Sequence, residues 1–184
     1  MNKSNFGKYH SLDLLPLAER LSADYYNAVA ALCEKAEKQA VRLKVLETNG
    51  PTSPYTTFCA ELLKEVQQYI APRKDELVPY LQKLAEKSAT GHDCRSCKNG
   101  CSLQHELKLA ELKETHAHLK DLLTRIQMVS LPLYTETIYP DAYRVLRNQI
   151  ALIENNLTEL YFLEEAYLIP KVAEAQKSIY APSL

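Results

Sequence analysis

PDAYRVLRNQIALIENNLTELYFLEEAYLIPKV, residues 140–172, decides the fold. Leu146, Ile150, Ile153, Leu157 and Leu160 recur in steps of three and four, and the stripe continues through Glu164 to Tyr167. That spacing lines one face of a helix; a strand would need alternation instead. Pro140–Asp141 opens the segment, since proline is tolerated only at a helix start. The spacing predicts a helix from there to about 177. Glu164 sits on its apolar face, and a charge facing a core must be paired, ligated or neutralised.

Three upstream segments carry the same period. Ser11 is placed to cap a short piece through Leu21, and Ser22 and Asp24 to restart it. The stripe Tyr26, Val29, Cys33, Ala36, Ala40, Leu43 then runs to about Leu46. Gly50 breaks the chain. Ser53–Pro54 starts a second helix, predicted to reach about Lys87 and to bend near Pro72 and Pro79. Its stripe is Cys59, Leu62, Val66, Tyr69, Arg73, Leu77. Ser102 caps a third, reaching about Val129, with His105, Leu109, Leu112, His116, Leu119, Leu123 and Ile126. Four amphipathic helices on short connections predict one all-α domain over 1–184, an antiparallel up-down-up-down four-helix bundle. A short segment precedes it at 1–21, and a Cys-rich loop lies at 88–102. A faint echo links DELVPYL (75–81) to EEAYLIP (164–170).

Composition agrees. The 184 residues suit one domain, the apolar share of 46% is enough for a core, and only four glycines interrupt it. A net charge of −1 gives no general attraction to nucleic acid or anionic membrane. The N-terminus has no apolar signal core, and no run of about 18 apolar residues exists to span a bilayer. A soluble, cytoplasmic protein is therefore expected, whose five cysteines are reduced thiols, metal ligands or redox groups. Neither a Gly-rich phosphate loop nor a serine-hydrolase motif is present.

In an up-down bundle the starts of helices one and three lie level with the ends of helices two and four. Tyr26, Tyr69, Arg73, His105 and Glu164 should then meet near one end of the core, around an Arg73–Glu164 ion pair. The competing reading leaves them at wet helix ends. His116, about 16 Å along the helix from His105, is too far from it to share a metal and is expected as a hydrogen-bonded core histidine. His118 is expected at the surface, and Cys33 and Cys59 as small core hydrophobes.

ELYFLEEAYLIPKV, DELVPYLQKL and QHELKLAELKETHAHL together resemble the hemerythrin-like, or HHE cation-binding, family, nearest its branch of di-iron proteins for iron–sulfur cluster repair. The resemblance spans roughly Ser11 to Val172. It implies a bundle in which two half-motifs, each a His followed four residues later by a Glu and six further on by a proline, clamp two irons. Counting back from Pro170 puts Leu160 at the His position and Glu164 at the Glu position. Counting back from Pro79 puts Tyr69 and Arg73 there. His105 matches the third helix's histidine, and Tyr25 or Tyr26 stands where the first helix should offer one. The carry-over keeps His105 and Glu164 and loses the rest. A guanidinium stays protonated, so Arg73 puts a fixed positive charge where the family holds iron. No di-iron centre of the family type is expected.

GHDCRSCKNGC (91–101) is the sharpest local motif. Cys94, Cys97 and Cys101 are spaced as thiolate ligands for zinc or iron, with His92 or His105 as the fourth. An iron–sulfur cluster, a redox-active Cys94–Cys97 pair and a loop of incidental thiols are the alternatives. Two functions stay open. One is a non-catalytic module, linked to iron or redox stress, that binds a metal or a protein partner. The other is an active di-iron or cysteine-based repair protein with altered ligands. The lack of a retained His–Glu pair on any one helix favours the first.

Overall fold

The computed structural model describes residues 7–47, 50–93, 109–134 and 139–180, giving only the backbone of 109–114, 132, 134 and 180. Among them there is no strand. α1 (Gly7–His10) leads into the first long rod, made of α2 (Leu14–Leu21), a π turn (Ser22–Tyr26) and α3 (Asn27–Leu46). The second rod is α4 (Ser53–Pro72), a π turn (Arg73–Leu77) and α5 (Val78–Ala89). α6 (Leu109–Ser130) is the third, closed by a 3-10 turn (Leu131–Tyr134). The fourth is α7 (Asp141–Leu163), a π turn (Glu164–Leu168) and α8 (Ile169–Tyr180). α3 packs on α4 and α7, α4 on α6, α5 on α8, and α2 on α5. The described part is a helical bundle with four long rods. None of its helices is long and apolar enough to cross a membrane.

Among the described side chains the expected stripes form the core; His105, Leu109 and Leu112 of the third lie outside them. Leu146, Ile150, Ile153, Leu157 and Leu160 are all buried, as are Val29, Cys33, Ala36, Leu43, Cys59, Leu62 and Val66. The buried apolar side chains form one continuous cluster. Full burial of a leucine contributes about 1.5–3 kcal/mol, so each rod is held chiefly by this face.

Three expectations need correction. The restart at Ser22 does not occur: the helix continues through a π turn in which the Asn27 amide bonds the Ser22 carbonyl. The caps move too, because Asp13, not Ser11, precedes α2, and Thr52, not Ser53, precedes α4. Thr52 turns its hydroxyl to Glu47 and makes no side-chain cap bond to α4. On the last rod the buried residue after Glu164 is Leu168, while Tyr167 is only half-buried.

The π turns explain that last shift. Along the fourth rod the buried positions run Leu160, Glu164, Leu168, Val172, Gln176, and along the second Tyr69, Arg73, Leu77, Leu81. In an α-helix each step of four overshoots a turn by about 40°, so three in succession would swing the stripe about 120° off the core. One wider turn absorbs the drift. Pro79 and Pro170 supply a local cause, because each lacks an N–H and its ring would press on the carbonyl four residues earlier. The residue before each proline instead bonds five back, Val78 to Arg73 and Ile169 to Glu164.

Candidate functional site: a buried carboxylate with a guanidinium partner

Glu164 opens the last π turn, and its side chain is fully buried. The three other rods each send donors to it. The Tyr26 hydroxyl, from the end of the first π turn, donates to Oε1 at 2.7 Å. Arg73 Nε, from the start of the second π turn, donates to the same oxygen at 3.0 Å. The Tyr69 hydroxyl donates to Oε2 at 2.8 Å. His116 Nε2, from α6, lies 2.8 Å from Oε2, and Arg73 Nη2 reaches it at 3.4 Å. A carboxylate offers about four lone-pair sites, so this one is saturated by protein donors.

Arg73 is itself enclosed, with its side chain 5% exposed. Nη1 donates to the Tyr69 carbonyl at 3.0 Å, and Cζ lies 3.4 Å from the Tyr69 ring centroid, a cation–π contact. Burial would raise the Glu164 carboxyl, but the Arg73 charge and the His116 and Arg73 hydrogen bonds outweigh it and hold the group down at about 2. Burial would lower Arg73, and the Glu164 charge more than compensates. Burial, reinforced by the neighbouring Glu164 charge, pushes the Tyr26 and Tyr69 phenols well above their ordinary range. Both phenols are therefore donors, not tyrosinate ligands.

Tyr26, Tyr69, Arg73 and Glu164 thus come together. Among the described residues the histidine with them is His116, the hydrogen-bonded core histidine expected on the α6 stripe. The stripe placed His116 correctly in the core but left its level along the bundle open by three turns. Its Nδ1 lies 3.1 Å from Glu165, a half-exposed carboxylate that sequence reading had passed over. The His116 ring stacks on Tyr161 at 4.3 Å. An (i, i+1) Glu164–Glu165 pair facing a core histidine was the signal available for this contact.

His105, Cys94, Cys97 and Cys101 lie outside the described residues. His92 is half-buried, its amide bonded to the Lys87 carbonyl at 3.0 Å. His118 is exposed, 3.7 Å from Glu65. Among the described residues no group of three or more His, Cys, Asp or Glu side chains is placed to hold a metal ion. The donor set at Glu164 does not fit a di-iron centre. Leu160 is a buried hydrocarbon where the resemblance wants an imidazole, the phenols are protonated donors, and a guanidinium touches the carboxylate a metal would need. The arrangement defines a class: a helical bundle with a closed, hydrogen-bonded ion-pair cluster in its core. No protein-family model matches the chain, and neither a curated protein nor a solved structure matches it.

Proposed function

We propose that the chain is a hemerythrin-like, antiparallel up-down-up-down bundle of one domain that has lost the di-iron site and acts in the cytoplasm as a non-catalytic metal-binding or interaction module. Cross-rod pairs support the antiparallel order. His116 meets Glu164 while Gln127 meets Glu154, so α6 and α7 run oppositely in number. Tyr55 packs on Tyr143 while Tyr69 bonds Glu164, so α4 and α7 run together. The observation that carries the functional reading is the saturation of Glu164 by Tyr26, Tyr69, His116 and Arg73. A carboxylate with its lone pairs filled and a permanent cation beside it neither ligates a metal nor moves a proton at neutral pH.

Metal binding in this reading belongs to the cysteine loop. Cys94, Cys97 and Cys101, with His92 or His105, would hold one zinc or iron and tie the end of the second rod to the start of the third. The test is metal content by mass spectrometry on protein purified without chelator or histidine tag, beside a Cys97→Ser variant. About one equivalent of metal in the parent, lost in the variant, is the expected result. No metal, with the loop thiols freely titrated, leaves the interaction module alone. Stoichiometric iron with oxo-bridged near-ultraviolet absorption, retained in Cys97→Ser, overturns the reading in favour of an active di-iron repair protein.

A further inference from the structure

The echo between the two half-motifs is structural. RKDELVP (73–79) and EEAYLIP (164–170) each form a five-residue π turn followed by a β-branched residue and a proline. In both, the amide before the proline bonds the carbonyl of the turn's first residue. Arg73 and Glu164 are those first residues. Equivalent positions of two equivalent turns therefore carry opposite charges, and the side chains meet at 3.0 Å.

What surrounds the guanidinium is a complete recognition site for that group. Glu164 takes Nε on one oxygen at 3.0 Å and Nη2 on the other at 3.4 Å, the two-pronged pairing of a carboxylate with a guanidinium. The Tyr69 carbonyl takes Nη1, and the Tyr69 ring lies against Cζ. A spherical metal ion needs several converging lone pairs at about 2.0–2.2 Å; here the oxygens instead lie at hydrogen-bond distance from three separate nitrogens. An ammonium has the charge without the plane.

We propose that the Glu164–Tyr69 pocket is a guanidinium-binding site whose ligand, the Arg73 head group, is covalently attached, and that truncating Arg73 opens it to a free alkylguanidinium in preference to an alkylammonium or a divalent metal. The attached ligand is what closes the core to metals. The inference rests on the pocket's geometry alone: metal content tests the hemerythrin-like reading, and the experiment below can fail without touching it.

The experiment is thermal unfolding of Arg73→Ala in the presence of ethylguanidinium, ethylammonium or cobalt(II), each kept well below denaturing concentration. Ethylguanidinium should raise the variant's midpoint saturably, by linkage to binding of the folded state. Ethylammonium should not, wild type should not respond, and cobalt(II) should show no ligand-field absorption. Equal rescue by both organic cations, no rescue by ethylguanidinium, or tight cobalt binding overturns the proposal. If Arg73→Ala does not fold, Arg73→Lys decides: it keeps the charge and loses the fork, so its folding equilibrium constant should fall by at least about tenfold. Wild-type stability in Arg73→Lys overturns the proposal equally.

Discussion

Replacing Arg73 by methionine keeps much of the apolar stem and deletes the charge. Nitrogen contacts at 3.0 and 3.4 Å to Glu164 and at 3.0 Å to the Tyr69 carbonyl go with it. Glu164 remains buried, held by Tyr26, Tyr69 and His116. Stranding one member of a buried ion pair costs about 3–5 kcal/mol, and the three surviving donors place this case at the lower end, about 3 kcal/mol. The pH profile is a second readout. In wild type the Glu164 carboxyl sits at about 2 against an ordinary 4.5. A depressed carboxyl stabilises the fold above its unfolded value, so this contribution is present above pH 4.5 and lost as pH falls from there toward 2. The gap corresponds to about 3 kcal/mol. In Arg73→Met the carboxyl loses its largest lowering partner and should rise from its wild-type position, so the stability lost between pH 4.5 and 2 should shrink. Urea unfolding followed by helical circular dichroism, at neutral pH and just below pH 4.5, measures both. Arg73→Met/Glu164→Leu strands no charge but leaves the Tyr26, Tyr69 and His116 groups without their buried acceptor, so it should recover only part of the loss. A loss below about 1 kcal/mol, with the wild-type pH slope unchanged, would refute the buried-pair argument.

Three further outcomes are expected. Tyr26→Phe removes one hydrogen bond to an ionised, buried carboxylate and should lower unfolding free energy by about 1.5–3 kcal/mol in urea; no change would mean that water replaces the hydroxyl at once. Leu157→Ala, at a fully buried position of α7, should cost about 2–5 kcal/mol by calorimetry. Burial pushes the Cys33 and Cys59 thiols up to about 12, so at mildly alkaline pH both should resist a disulfide reagent until urea is added. Reaction of all five cysteines in the native state would show that the α3–α4 contact opens readily.

Much of the bundle could be read from local pattern. The ends of α3 near Leu46, of α6 near Val129 and the start of α7 at Asp141 follow from where apolar periodicity stops at Gly, Pro or Ser. Tyr69, Arg73 and Glu164 could be placed together because each lies on a stripe and an up-down order sets the end of the second rod level with the end of the fourth. Cys33 and Cys59 behave as the small core residues their positions suggest.

Periodicity states which face of a helix is buried. It carries no information about how far one rod slides along another, since a stripe looks alike at every turn. That axial register assigns His116 to Glu164, and it comes from the packing of α6 on α4 and of the α7 rod beside them. The π turns are of intermediate kind. Their trace was in the sequence, as buried positions spaced by four three times over and prolines at matching offsets, but a step of four is individually ordinary for an α-helix. A stripe that must stay on a straight core rejects the accumulated drift, and the core exists only once the rods have packed. Burial likewise turned a line of phenols, an imidazole and a guanidinium into donors saturating one carboxylate: removed from water, each group had to find its partner within the protein.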